Sequence, residues 1–279
     1  MRVATVNVNG IRAAFRRGMG DWLARSAPDV LLLQEVRADD EILADHLSPD
    51  EWRLAHESAV AKGRAGVAIA SRLPMSAIRV GIGTGLPTDS GRWVEAELEL
   101  PGGGTLLVAS TYVHSGTAGT ASMADKYAFL DRVTHRMAEI GAGDAPAVVA
   151  GDLNIAHREV DIKNWRGNLT HAGFLPQERG YLDHWFDDLG WRDVGRELGG
   201  PGPGPYTWWS WRGKAYDQDS GWRIDYQMAT PALADLARAA TIDRAPSYAE
   251  RFSDHAPFVV DYDIGDAPGT RPQTGSRAV

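Results

Sequence analysis

The 279-residue sequence contains no cysteine. That absence excludes disulfides, thiolate catalysis and cysteine-ligated zinc or iron–sulfur centres, and it fits a reducing, cytoplasmic setting. No apolar run approaches the length of a membrane span. The opening residues Met1-Arg2-Val3-Ala4-Thr5 enter a strand pattern directly, without the apolar stretch and cleavage site of a signal peptide. Neither a phosphate-cradling G-x-x-x-x-G-K-S/T loop nor a G-x-S-x-G nucleophile elbow is present. Basic excess is lacking too: 29 Lys and Arg stand against 37 Asp and Glu, a formal net charge of −8. That balance argues against a general nucleic-acid coat. It leaves room for a local basic face, or for an acidic pocket that holds a metal ion.

What is present is an ordinary globular composition, 43% hydrophobic and 24% charged. Short apolar or β-branched runs predict strands at Arg2–Val8, Val30–Leu33, Gly66–Ala70, Trp93–Leu100, Thr105–Thr111, from Val148, at Trp222–Tyr226 and at Phe258–Tyr262. Helical spacing is strongest over Met123–Ile140, where Tyr127, Leu130, Val133, Met137 and Ile140 share a face. Shorter helices are expected around Arg12–Arg17 and at Asp21–Ala27, Ile42–Leu47, Gln177–Leu189 and Ala232–Ala239. Turns are expected at Leu73-Pro74, Thr84–Gly91 and Leu198–Pro205. Residues 156–174 form a long polar stretch with few core residues, the kind of loop that is usually functional or disordered. After an α/β domain over 1–264, the Gly-, Pro- and Arg-rich residues 265–279 are expected to be disordered. Two sheets packed face to face with helices outside would satisfy the pattern.

The run Val148-Val149-Ala150-Gly151 ends in Asp152 and Asn154, which one intervening residue places on the same side of extended backbone. Functional groups in α/β folds gather at the carboxyl ends of strands. Alone, the pair would read as an Asx turn. Polar residues recur, however, at other strand ends and turns: Asn7, Glu35, Tyr112, Asp225 and the pair Asp254-His255. Carboxylates, amides and one histidine suit a hard divalent cation and a water nucleophile.

Six stretches carry a resemblance: Asn7-Val8-Asn9-Gly10-Ile11-Arg12, Leu33-Gln34-Glu35, Gly151-Asp152-Leu153-Asn154, Gly173-Phe174-Leu175-Pro176-Gln177-Glu178-Arg179, Trp222-Arg223-Ile224-Asp225-Tyr226 and Ser253-Asp254-His255. In this order they resemble the exonuclease III and apurinic/apyrimidinic endonuclease family of the deoxyribonuclease-I-like superfamily. The resemblance implies a four-layered α/β sandwich, with two mixed sheets face to face and helices outside. It implies a monomeric, Mg²⁺-dependent DNA repair phosphodiesterase, with Mn²⁺ as the alternative ion. The enzyme would cut 5′ to abasic sites in double-stranded DNA and process 3′ ends, with no membrane partner. Glu35 resembles the principal metal ligand, with Asn9 and Asp254 at the other metal positions. Asp152 would orient or deprotonate the attacking water, assisted by Asn154. His255, paired with Asp225, would meet the scissile phosphate, as would Tyr112, and Asn7 would hydrogen-bond Asp152 and His255. Arg12, Arg16, Arg17, Arg37, Arg64 and Lys126 match or lie near DNA-backbone positions, and Lys163, Asn168 and His171 lie on a DNA-contacting loop. Trp208, Trp222 and Ile224 resemble an abasic-sugar pocket, whereas Trp209 and Trp211 are expected in the core. Val6, His114 and Ser115 depart from the family pattern. The rival readings are a phosphoinositide or sphingomyelin phosphatase and a non-catalytic regulatory protein on the same fold.

Overall fold

Central strands with apolar residues pointing to both faces must be covered on both faces. In β1 (Arg2–Asn7) and β2 (Val30–Gln34), Val3, Val30 and Leu32 point to one side and Ala4, Leu31 and Leu33 to the other, all fully buried. Burying each leucine contributes roughly 1.5–3 kcal/mol relative to exposure. The computed structural model, which describes residues 1–82 and 87–264, shows where the two faces go. The expected tail at 265–279 and part of the Thr84–Gly91 turn lie outside the described residues.

Further strands are β3 (Arg53–Glu57), β4 (Val67–Ser71), β5 (Met75–Val80), β6 (Trp93–Glu99), β7 (Thr105–Tyr112) and β8 (Ala147–Asp152). They are followed by β9 (Arg192–Asp193), β10 (Asp225–Ala229), β11 (Ala237–Ile242) and β12 (Phe258–Tyr262). One six-stranded sheet runs β11-β12-β1-β2-β4-β3 and the other β5-β6-β7-β8-β10-β9. Each is mixed, with one parallel pair at its centre, β1 with β2 and β7 with β8. Val3, Leu32, Val94, Val108 and Val148 meet in the core between the sheets. The outer face of the first sheet packs under α1 (Ile11–Arg16), α2 (Met19–Ser26) and α3 (Asp40–His46). The second is covered by α4 (Ala121–Gly141) and by the region of α6 (Pro176–Asp183). Between α4 and α6 lies the short α5 (Trp165–Asn168), a π-helical turn at His184–Asp188 continues α6, and α7 (Val194–Gly199) and α8 (Pro231–Ala234) complete the α-helices among the described residues. This is the expected four-layered sandwich. No helix among the described residues is long and apolar enough to cross a membrane.

Several expectations need correction. Strands β3 and β5 had no sequence signal: Arg53, Ile78 and Val80 lie exposed on sheet edges, where alternation is weak. The helix expected over 232–239 stops at Ala234, and Ala237 begins edge strand β11 against β12. Alanine-rich sequence favours helix locally, but pairing along β12 overrides that preference. The β10 ladder begins at Asp225; Trp222 joins only isolated bridges to Ile162 and Trp208. The 156–174 stretch is better packed than its polarity suggests, since Ala156, Ile162 and Phe174 form a small core of their own with Ile224.

Candidate active site

The chain directions bring the polar strand ends together. Strands β1, β2, β7 and β8 deliver their carboxyl ends to one rim, and antiparallel β10 and β12 start there. Across the second sheet, Tyr112 sits opposite Asp152, and Asp152 opposite Asp225. A glycine is required just before, because a Cβ on Gly151 (φ +146) would lie 1.9 Å from the Thr111 carbonyl oxygen and 3.1 Å from Gln34 Nε2. That Gln34 amide also donates to Ser110 Oγ at 3.0 Å, a bond between the sheets that fixes their rims together.

Asp152 and its neighbours form one network. The Asn154 backbone N–H donates to Asp152 Oδ1 at 2.8 Å, and Asn154 Nδ2 donates to the Val113 carbonyl at 3.0 Å. Asn7 Nδ2 donates to Asp152 Oδ2 and Glu35 Oε1, both at 2.9 Å, so it bridges Asp152 to Glu35 where the resemblance implied His255 as its second partner. His255 Nδ1 lies 2.8 Å from Asp225 Oδ2, and its Nε2 lies 3.6 Å from Asp152 Oδ2. Thr207 Oγ1 accepts from the backbone N–H groups of Ile224 and Asp225, which fixes the start of β10. All three ionisable members are buried. Burial pushes the Asp152 carboxyl up to about 7, with Asp225 adding to the rise and His255 and the Asn7 bond opposing it. Burial would lower His255, but Asp225 and Asp152 outweigh it and raise the imidazole to about 10. The arrangement is an imidazolium held by Asp225, facing a carboxyl that changes charge near neutrality. Such a pair can place a donor and a proton acceptor side by side at a phosphate.

Two carboxylates flank this network. Glu35 adopts φ +49 and pairs with Arg37 as well as Asn7. Asp254 accepts from Asn9 Nδ2 at 2.8 Å and from Trp208 Nε1 at 3.2 Å. Burial would raise Asp254, yet His255 and those two bonds hold its carboxyl below the usual range. Asp152, Asp225 and His255 lie close enough that they could hold a metal ion, each offering an atom within 4.8 Å of the others. Distance alone does not assign them that role, because Asp225 already engages His255 and an imidazolium repels a cation. Glu35, Asn9 and Asp254 supply the carboxylate and amide oxygens a hard divalent ion prefers, so the residues fit such a group. Tyr112 is half-buried, and burial together with Glu35 and Asp152 raises its hydroxyl well above the ordinary value, which keeps it a donor.

The basic residues divide. Arg12, Arg16, Arg17, Arg37 and Arg64 are exposed. Arg12, Arg37, Lys62 and Arg64 line a groove of ≈ 270 Å³, and Arg37, Arg64 and Arg92 line a second of ≈ 300 Å³ that reaches Glu35 and Tyr112. Arg92, which no sequence pattern singled out, also stacks over the Tyr112 ring at 4.8 Å. Lys126 needs correction: it is fully buried, pairs with Glu178 at 2.6 Å and donates to the Asn154 and Ser115 carbonyls. Its ammonium braces two site loops from inside and is out of reach of a DNA backbone. Glu178 Oε2 in turn accepts from the Gly173 and Leu175 N–H groups, so the pair anchors the 173–178 turn as well.

Lys163 and His171 are exposed and Asn168 is half-buried on the 156–174 segment, which passes beneath Trp222. Gly173 (φ +92) is needed there, since a Cβ would stand 2.9 Å from the Trp222 ring. Trp208 and Trp222 are half-buried and meet edge to face at 6.1 Å. Ile224 is 4% exposed, so it lies under those rings as a floor, with little wall of its own to offer a ligand. Trp209 is core as expected, but Trp211 is half-buried and covered by Arg251 and Arg17. Thr207 escaped sequence reasoning, and Gln34, Glu178 and Ser253, though they lie in the stretches that carry the resemblance, were given no role, because each acts through a partner distant in the chain.

Known proteins share this architecture. An exodeoxyribonuclease of Bacillus subtilis (strain 168) is 30% identical over 258 residues, covering 92% of this chain and 97% of the relative. Among solved structures, an AP endonuclease from Archaeoglobus fulgidus superposes with a TM-score of 0.84 at 29% identity, over 95% of this chain and 100% of that one. A 3′–5′ exonuclease from Neisseria meningitidis gives 0.84 at 28% identity, over 94% and 100%. The model of the endonuclease/exonuclease/phosphatase family matches residues 4–255, a span that holds Asn7, Glu35, Tyr112, Asp152, Asp225 and His255, and the chain belongs to that family.

Proposed function

We propose that this protein is a divalent-metal-dependent DNA repair phosphodiesterase that cuts duplex DNA 5′ to abasic sites and trims 3′ ends. The observation that carries the reading is the Asp152–His255–Asp225 network, with His255 Nε2 3.6 Å from Asp152 Oδ2. Asp152 is the group to take a proton from water, held by Asn7 and the Asn154 backbone. His255 and Tyr112 are donors to the phosphate oxygens, and Asp225 keeps the imidazole charged and oriented. Glu35, Asn9 and Asp254 would hold Mg²⁺ or Mn²⁺, whose charge would stabilise the developing anion. The exposed arginines and their two grooves favour a polyanionic duplex over a small phosphate ester. Trp208 and Trp222 over Ile224 are suited to a bare sugar, whose extrusion from the stack costs less than that of an intact nucleotide. The reading includes one domain over residues 1–264 acting as a monomer.

The test is a duplex with a single abasic analogue, an intact duplex and a phosphoinositide, each with Mg²⁺ and with chelator. Metal-dependent cutting of the abasic duplex, fastest of the three, is expected. Preference for the phosphoinositide would overturn the assignment, as would cutting that survives chelation.

A further inference from the structure

Arg251 lies two residues before Ser253-Asp254-His255 and is 5% exposed. No carboxylate pairs with it among the described residues, and its Nε and Nη2 have no hydrogen-bond partner. Three aromatic rings enclose it instead: Trp211, Tyr216 and Tyr248, with centroids 4.1, 4.3 and 4.4 Å from the guanidinium carbon. The stack continues both ways. Arg244 lies 4.5 Å from the Tyr216 ring, and the exposed Arg17 lies 5.3 Å from the Trp211 ring. Arginine faces suit such stacking because they are planar and weakly hydrated.

Arg251 also makes a specific bond to the backbone. Its Nη1 donates to the Trp209 carbonyl at 3.1 Å. Residues 207–209 run against 254–256, with Trp209 N–H donating to the Asp254 carbonyl at 3.0 Å and Ala256 N–H to the Thr207 carbonyl at 2.8 Å. Trp208 bridges His255 within this junction. Arg251 therefore fastens the Trp209 end of a two-segment clasp that sets Trp208 against Asp254 and holds His255 in place. A buried cation with no carboxylate within ion-pair distance is unfavourable, and the ring faces around it offset part of that cost.

We propose that Arg251 is a positioning residue for phosphodiester cleavage. It clasps the Trp208–Trp209 segment to the Asp254–His255 turn and, through Trp211, ties both to Arg17 on the basic face. The proposal rests on the reading of the site given above.

Arg251→Met keeps the length but removes the planar charge and the Trp209 bond. Its single-turnover rate on saturating abasic duplex, per folded enzyme, should fall about tenfold while the duplex Kd moves less than about threefold. Arg251→Lys, which keeps charge and a donor but not the plane, should fall between. A rate for Arg251→Met within about twofold of the parent overturns the proposal. Hydrogen exchange supplies a readout independent of activity: the Trp209 and Ala256 amides should lose protection about tenfold or more, while Val149 in β8 does not. Unchanged protection also overturns it. Should the parent fail to cut DNA, the functional reading fails while the exchange result still decides the clasp. If Arg251→Met does not fold, Trp211→Leu, which removes one ring, should give the same split with a smaller loss; no loss overturns the proposal.

Discussion

Two buried charge clusters stand close together at the start of β10, and they are built to opposite ends. In one, Arg223 and Arg196 face Asp161 and Asp193. Arg223 donates to Asp161 Oδ1 at 2.6 Å and to both oxygens of Asp193 at 3.0 and 2.7 Å, and Arg196 also pairs with Asp161. Two cations meet two anions. Burial would raise Asp161, but Arg223 and Arg196 outweigh it and hold its carboxyl low. In the other cluster, two residues along, Asp152 and Asp225 share a single His255. One carboxyl is in excess, Asp225 Oδ1 has no hydrogen-bond partner, and burial raises Asp152. Charge balance fixes a structure in one state. Imbalance by one leaves a group whose protonation is easily changed, which is what acid–base chemistry requires.

The largest expected effect comes from removing the imbalance. Asp152→Asn should lower turnover by roughly 10²–10⁴-fold, the range for loss of general-base catalysis. It should also stabilise the fold above neutral pH. Folded Asp152 keeps its proton to about 7, against the ordinary 3.8 expected in the unfolded chain. Across that window the native state binds more protons, so stability falls as pH rises. His255, raised from 6.5 to about 10, extends the decline through the alkaline range. The melting temperature of Asp152→Asn should exceed the parent's at pH 8, and the gap should close toward pH 4. A gap independent of pH would place the raised group elsewhere.

Breaking the balanced cluster should act on stability first. Arg223→Met leaves Asp161 and Asp193 short of their partner and should cost about 3–5 kcal/mol in urea unfolding, as expected for half of a buried pair. A cost under about 1 kcal/mol would erase the distinction between the clusters, since an exposed pair contributes that much. The smallest effect should come from a charge in neither cluster. Arg16→Ala, on the exposed face of α1, should leave melting unchanged and reduce the salt slope of duplex binding by about 0.9. An unchanged slope would remove Arg16 from the DNA face.

Arg64 and Lys126 mark how far the site was legible. Both were read as DNA-facing cations; one is exposed in a groove and the other is sealed against Glu178. Helical spacing places Lys126 on α4 beside Phe129 and Leu130, but the carboxylate that accepts it lies 52 positions away on α6. No local pattern could have paired them. Arg251 is a similar case, with its rings contributed from 211, 216 and 248.

The sequence by itself determined the central strands, the helix α4 and the residues at the strand ends. Apolar runs bury both faces wherever they are placed, and polar residues that close such runs can only emerge at the rim of a sheet. Tertiary structure decided the edges and the electrostatics. Strands β3, β5 and β11 exist because a neighbour offers them a ladder, since their own residues are mostly half-buried or exposed and weakly patterned. Whether a buried charge is silent or reactive depends on how many opposite charges reach it. That number is set by the packing of segments far apart in the chain, so it becomes defined only when the two sheets and their loops close around Asp152.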